Sequence, residues 1–362
     1  MNIVESTQRY EKWLQQRLRV IEQDLTQKHT KMAQDPFAFL RATFYRWVQL
    51  WPELCPDLQD APQVLGVGDL HIENFGTWLD AEGRLIWGIN DFDEAAPVPY
   101  TSDLVRLATS ALLALHVRTL SLGPKECCAA ILKGYRQGLK SGGRPIVLTE
   151  QNKRLRTLVL TQLERQKGFW KELKHLHDQA QQTPPEVKFL LARCLPTGAI
   201  SDRVVHRTAG LGSRGRERFA AVAQWHGATV VREAKALTTS AWLWETNKSA
   251  RIWYRLAVTR SVRAADPSVV VTPAWVVRRL SPECCRINLD KLDSPTEEYH
   301  LLQLMGWETA NVHGGSTQQR ESILQDLPNR QPQWLLGAAQ SMTKQHRAEW
   351  REWRRHERVV PR

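Results

Sequence analysis

Two loops built from Gly, Asp, His and Asn stand at predicted strand ends: Gly68-Asp69-Leu70-His71-Ile72-Glu73-Asn74, and Asn90-Asp91-Phe92-Asp93-Glu94 after the apolar run Leu85-Ile86-Trp87-Gly88-Ile89. They constrain the chain because they space three metal-competent side chains, Asp69, Asn74 and Asp91, across two strand ends. Phosphoryl transfer from a nucleotide needs a carboxylate near the acceptor hydroxyl, and hard oxygen donors that hold magnesium on the phosphates. Asp69 suits the first role, and Asn74 with Asp91 suits the second. Taken singly, Gly-Asp-x-His is an ordinary turn, since these residues mimic backbone hydrogen bonds or tolerate unusual dihedrals. Asn74, Asp91, Phe92 and Asp103 in register with it favour a site. His71 reads as a support of the loop, and Glu73, Asp93 and Glu94 as supporting or solvated carboxylates.

Gly68-Asp69-Leu70-His71 with Asn74 resembles the catalytic loop of aminoglycoside and choline phosphotransferases, in the protein-kinase-like superfamily, where it usually reads His-Gly-Asp-Leu-His-x-x-Asn. Val67 stands where the leading His would be, so one support of the loop is absent or replaced. Ile89-Asn90-Asp91-Phe92-Asp93 is similar to that family's metal-binding segment, and Asp103-Leu104 to the Asp-Leu-Ala that opens the next helix. The resemblance implies ATP and Mg2+, with Asp69 catalytic, Asn74 and Asp91 on the metal, and His71, Asp93 and Asp103 supporting. Asp35-Pro36-Phe37-Ala38-Phe39-Leu40-Arg41, both loops, and Asp103-Leu104-Val105-Arg106-Leu107-Ala108-Thr109-Ser110 together resemble an uncharacterised bacterial family, the domain of unknown function 2252.

A second constellation lies downstream. Val204 to Ala209 reads as a strand, Gly210-Leu211-Gly212-Ser213-Arg214-Gly215 as a turn, Phe219 to Trp225 as a returning strand, and Ala228 to Arg232 as a third. Glycines let a backbone approach phosphates, and kinases place such a turn between antiparallel strands with a Lys on the next one. A dinucleotide-binding version would need a helix directly after the turn, and the sequence there is β-prone. Gly210, Gly212, Ser213 and Gly215 are the candidate phosphate-covering residues, with Arg232 or Lys235 as the cation. The resemblance aligns Arg232-Glu233-Ala234 with a Lys-Glu-Ala. Side chains an odd number of residues apart on a strand point to opposite faces, so a strand reaching Lys235 would present only one of the two. Glu245 could pair with the cation, although an ordinary surface role suits it better.

The order is unusual, because the acidic loops precede the glycine turn and its cation. The expectation is an α+β, protein-kinase-like two-lobe fold, circularly permuted, with a mostly helical large lobe and a small antiparallel β lobe. Residues 1–200 would form a helical lobe with the catalytic and metal-binding loops, 201–282 the β-rich nucleotide-binding lobe, and 283–362 a helical part packing on the large lobe. Tyr10, Trp13, Leu14, Leu18, Ile21 and Leu25 recur at helical spacing and predict one helix ending before Asp35-Pro36. A second helix is expected from Phe37 to Trp51. A third runs from about Leu104 to Leu120, capped by Ser102-Asp103, and a fourth follows Gly123-Pro124 to Ser141. A long charged helix spans roughly Glu150 to Gln181, with Thr183-Pro184-Pro185 as a break. Strands continue over Val269 to Thr272 and Ala274 to Leu280.

The formal charge of +12 over 362 residues implies attraction to nucleotides, nucleic acid or anionic surfaces. A basic run, Lys344, Arg347, Arg351, Arg354, Arg355, Arg358 and Arg362, carries Trp350 and Trp353; Glu349, Glu352 and Glu357 suit a solvated helix whose Trp residues pack inward. A nucleic-acid role rests on charge alone. No apolar run is long enough to cross a bilayer and no leader pattern opens the chain, so a cytoplasmic protein without membrane insertion is expected. The adjacent Cys127-Cys128 and Cys284-Cys285, with isolated Cys55 and Cys194, lack zinc-knuckle spacing and read as reduced thiols. The leading function is an ATP-dependent phosphotransferase acting on an unidentified hydroxyl acceptor, a small molecule or a protein. Alternatives are a nucleotide-binding pseudokinase, an AMP-transferring enzyme, and a metal-dependent hydrolase using Asp69, His71, Asp91 and Asp93.

Overall fold

A computed structural model describes the chain except residues 118–119, 149–151, 165–167, 177, 179–180, 249, 285, 287–291, 293 and 360–362. The N-terminal half runs α1 (Ile3–Gln15), α2 (Glu22–Met32), α3 (Pro36–Ala42), α4 (Phe44–Leu54), β1 (Gln63–Gly66), β2 (Phe75–Leu79), β3 (Leu85–Ile89), β4 (Ala96–Pro99), α5 (Tyr100–His116) and α6 (Pro124–Ser141). It continues through β5 (Ile146–Val147), α7 (Lys153–Glu164), α8 (Phe169–His175) and α9 (Pro185–Cys194). The second half holds β6 (Ile200–His206), β7 (Arg218–Trp225), β8 (Ala228–Ala236), α10 (Ala241–Glu245), α11 (Tyr254–Arg260), β9 (Val270–Val271) and β10 (Trp275–Leu280). Three further helices follow: α12 (Pro295–His313), α13 (Thr317–Asp326) and α14 (Trp334–Val359).

The fold is mixed α/β with small antiparallel sheets. β1 pairs β4, β3 lies between β2 and β5, and the five-stranded sheet has the order β6-β7-β8-β10-β9. The main core gathers α4, α5, α6 and α12 around β1 and β3, with Trp47, Trp87, Leu104 and Ile131 inaccessible. Helices α6 and α12 cross in backbone contact: a Cβ on Gly134 would stand 1.7 Å from the Gln303 carbonyl oxygen, and one on Gly306 2.0 Å from that of Ile131. That crossing sets the depth at which the end of α12 enters the core. Phe75 and Phe92, each 1% exposed, anchor the flanks of the acidic loops; burying a phenyl ring stabilises by about 1.5–3 kcal/mol.

Local signals explain several ends. Asp35 caps α3, accepting from the Ala38 amide at 2.8 Å with Pro36 next to it, and Gly142 closes α6 at φ 80°. Other boundaries correct the sequence-based expectations. The single helix through Tyr10 and Leu25 is two, because the intervening chain pairs with the glycine turn: Val20 bridges Arg216, and the Ile21 amide donates to the Gly215 carbonyl at 2.9 Å. The Phe37–Trp51 helix is also two, broken at Thr43 (φ −123°, ψ 43°), whose hydroxyl turns back to the Phe39 carbonyl. Helix α5 begins at Tyr100, so Ser102 and Asp103 lie inside its first turn; the Asp103 carboxylate serves a neighbouring loop instead of a cap. Within the expected Glu150–Gln181 helix, Glu150 and several interior positions lie outside the described residues, and the described parts are the separate α7 and α8. Pro184-Pro185 starts α9.

On α14, Trp353 is buried beside Leu211 and Ile3, and Glu349 pairs with Arg46 at 2.6 Å; Arg362 lies outside the described residues. Cys55, Cys127 and Cys128 are buried free thiols and Cys194 and Cys284 half-buried ones, while Cys285 lies outside the described residues. Among the described residues no helix is long and apolar enough to cross a membrane.

Candidate active site

The loop after β1 is shaped from its backbone outward. The Val67 and Gly68 amides donate to the two carboxylate oxygens of Asp103 at 2.6 and 2.9 Å. Gly68 has φ 80°, and a Cβ there would stand 2.2 Å from the Glu94 carbonyl oxygen, so a side chain would both strain the turn and part the two acidic loops. Asp103 is in turn held by His313 Nε2 at 2.9 Å, and His313 Nδ1 meets the Tyr135 hydroxyl at 2.8 Å. Asp103, His313 and Tyr135 are inaccessible to solvent. The support expected from a His at position 67 thus comes through Asp103 from the far end of α12.

Asp69 leaves this loop with Oδ1 bound by Arg106, whose Nε lies at 3.0 Å and whose Nη2 approaches more closely. Arg106 is inaccessible, lies over the rings of Phe44 and Trp47, and donates to the Leu40 carbonyl at 2.9 Å. Burial raises the Asp69 carboxyl to about 6, with Glu94 and Asp91 adding to the shift against the opposing Arg106 charge. His71 is buried edge-on to Phe37, and its Nδ1 accepts from the Glu73 amide at 3.2 Å. Burial, with the Arg41 and Arg286 charges, keeps its imidazole well below the usual histidine range and therefore neutral.

Asn74 ties the two loops together. Its Nδ2 donates to the Asp69 carbonyl at 3.1 Å and to the Asp91 carbonyl at 3.3 Å, while its Oδ1 is buried without a partner. Asp91 accepts from Lys235 Nζ at 3.0 and 3.2 Å, and Asp93 Oδ1 lies 2.7 Å from the same ammonium. Burial alone would raise Asp91, but the Lys235 and Arg278 charges outweigh it and hold that carboxyl below the usual range. Burial and the Asp91 charge push Asp93 the other way, to about 6. Glu94 accepts from Arg216 at 2.9 Å and from the Ala241 amide at 2.7 Å.

The orphaned Asn74 amide oxygen and the Asp91 carboxyl group belong to residues lining one cavity, and they are oxygen donors of the kind magnesium takes when it binds through one or two carboxylates and leaves its other positions to water and phosphate oxygens. Among the described residues no group of three His, Cys, Asp or Glu is placed to hold a metal.

The glycine turn closes over this centre. Leu211 is buried among Ile3, Met32, Phe39 and Trp353, and Lys28 Nζ donates to the Gly212 carbonyl at 3.3 Å. A Cβ on Gly212 would come within 3.1 Å of Asp69 Oδ2. Gly215 has φ 97° and packs on Leu25, Gly210 has φ 71°, and the Ser213 hydroxyl accepts from Arg218 at 3.0 Å. β8 extends to Ala236, which separates the two candidate cations. Lys235 shares a face with Glu233 and meets the acidic loop, whereas Arg232 is on the opposite face, donating to the Cys194 carbonyl at 2.8 Å at the end of α9. Arg232 therefore faces away from the acidic loops. Glu245 is also elsewhere, pairing with Arg9 at 3.3 Å.

Two cavities meet at Asp91 and Gly210. The smaller, about 50 Å³, lies at Asp69 under Gly212 and Arg216. The larger, about 290 Å³, extends beneath the five-stranded sheet past Arg218, Arg278, Phe92 and Tyr254. Residues missed from the sequence are Arg106, Arg216, Arg218, Arg278 and His313. Only the two-residue alternation of the strands, which puts Arg218 and Arg278 on the face of Lys235, could have signalled any of them.

Residues 19–190 match the model of a family described as an uncharacterized protein conserved in bacteria, DUF2252. The match covers both acidic loops and Asp103 and stops before the glycine turn. No curated protein and no solved structure matches the chain.

Proposed function

We propose that this cleft is the active site of an ATP-dependent phosphotransferase of kinase-like type acting on a hydroxyl acceptor. The observation that carries the reading is the convergence of Asp69, Asn74, Asp91 and Lys235, from distant parts of the sequence, on one point under a glycine turn. Phosphotransfer asks the protein mainly for positioning and charge neutralisation. Asp69 is the proton acceptor: Arg106 fixes Oδ1, Oδ2 is left for the acceptor hydroxyl, and a carboxyl near 6 is ionised yet basic at neutral pH. As the acceptor oxygen bonds to the terminal phosphorus, the bond from that phosphorus to the bridging oxygen breaks, ADP leaves, and the acceptor's proton passes to Asp69. Asn74 Oδ1 and Asp91 would hold magnesium, which supplies neutralisation of the phosphate charge. Lys235 keeps Asp91 ionised and oriented, and Gly212, lacking a side chain, lets the turn approach the reacting centre.

A second reading, nucleotide binding without transfer, is favoured by one observation: the cavity at Asp69 has room for only a few water molecules, so an acceptor enters only if the glycine turn lifts. The test is magnesium-dependent ATP binding and transfer to a panel of hydroxyl acceptors, with products weighed by mass spectrometry. The phosphotransferase gains a phosphoryl increment on an acceptor and loses it in a folded Asp91→Ala variant. Binding without any product supports the second reading, an AMP increment identifies adenylyl transfer, and indifference of both proteins to ATP overturns all three.

A further inference from the structure

The larger cavity is lined by Arg207, Arg218, Arg263, Arg278, Arg279 and Arg286, against the carboxylates of Asp91 and Asp266. Asp91 is already answered by Lys235. Behind the lining, the inaccessible Glu233 receives Arg207 and Arg218 at 2.7 Å each and Arg278 at 3.3 Å. One carboxylate among three guanidinium groups leaves the cluster positive, while the contacts splay the three arginines around it. Arg286 shares Glu73 with Arg41. Arg263 lies over the rings of Trp78 and Phe92, at 4.5 and 5.2 Å, and its Nε and Nη1 are buried without a hydrogen-bond partner, its charge offset only through space by the carboxylates of Glu308 and Asp266. Surplus buried charge is costly unless an opposite charge joins it, and guanidinium forks match phosphate oxygens in shape as well as charge.

We infer that this cavity is a site for linked phosphate groups, held by Arg207, Arg218, Arg278 and Arg263 and not by Lys235. The ligand is a nucleoside di- or triphosphate or an inorganic polyphosphate. Choosing the nucleotide rests on the phosphotransferase reading, whereas affinity for linked phosphates rests on the charge imbalance alone. Glu233 is a positioning residue: it fixes the three arginines and keeps them from repelling one another.

The test is calorimetric titration of the full chain, without magnesium, with inorganic tripolyphosphate, ATP and AMP. Tripolyphosphate and ATP are expected to bind at least tenfold more tightly than AMP. Arg278→Gln and Arg263→Gln, checked for folding by circular dichroism, weaken both about tenfold, and Arg355→Gln on the exposed face of α14 does not. Tripolyphosphate binding that survives both cavity substitutions, or falls equally with Arg355→Gln, overturns the site. ATP binding without tripolyphosphate binding also overturns it while leaving the phosphotransferase intact. Tripolyphosphate binding with the expected substitution pattern, but no transfer from ATP, sustains the site and removes the phosphotransferase.

Discussion

The two ends of the cleft are built on opposite electrostatic plans. At the Asp69 end every carboxylate is paired with a cation, Arg106 for Asp69, Lys235 shared by Asp91 and Asp93, and Arg216 for Glu94, and the space is about 50 Å³. At the sheet end guanidinium groups outnumber carboxylates, Arg263 has buried nitrogens without partners, and the space is about 290 Å³. A balanced, tight end suits proton transfer, where the protonation state of one group decides the rate. A roomy end with surplus charge suits binding of an anion. Asp91 and Asn74 stand between them, where on the proposed phosphotransferase reading a phosphoryl group held from one end would meet an acceptor activated at the other.

This division can be broken by experiment. The largest effect is expected from Asp69→Asn, which removes the proposed proton acceptor and should lower the turnover rate about 10²–10⁴-fold, with affinity for tripolyphosphate unchanged. In the unaltered protein turnover should rise with pH through about 6 as Asp69 ionises, and level off above. Asp69→Asn flattens that rise in its residual activity, whereas a rise that persists assigns the titration to Asp93, which is also raised to about 6. Equal loss of turnover and affinity would show that the two ends are one site.

A smaller effect, about tenfold on kcat with little change in KM for ATP, is expected from His313→Ala. It touches neither cavity and acts through the Asp103 contact to the Val67 and Gly68 amides. A merely destabilising role would lower the melting temperature and the amount of folded protein, and would leave kcat per folded molecule unchanged.

How much of this was legible in the sequence depends on how local the cause is. Asp69, Asn74 and Asp91 could be read because the hairpin of β2 and β3 joins their loops within about two dozen residues, and Asn74 needs only that hairpin to reach both backbones. The glycine turn was legible between two alternating strands, and the same alternation decides between Arg232 and Lys235 once the length of β8 is known. The helix breaks at Val20–Ile21 and Thr43 were not, because periodicity continues through them; the first is set by pairing with Gly215 and Arg216, almost 200 residues away. Arg106 carries no signal beyond its place on α5, since its role follows from Leu40, Phe44 and Trp47 being packed beneath it. His313 is the extreme case. Position 67 reads as a lost support, yet the support enters from His313, 210 positions beyond the Asp103 it holds, and depends on the glycine crossing of α6 and α12.

The most direct test of the central claim is a crystal structure with magnesium and a non-hydrolysable ATP analogue. The phosphate chain is expected in the larger cavity within hydrogen-bond reach of Arg218 and Arg278, with the metal on Asn74 Oδ1 and Asp91 and the terminal phosphate facing Asp69. A nucleotide bound outside this cleft, or a cleft left empty at saturating analogue, would contradict it.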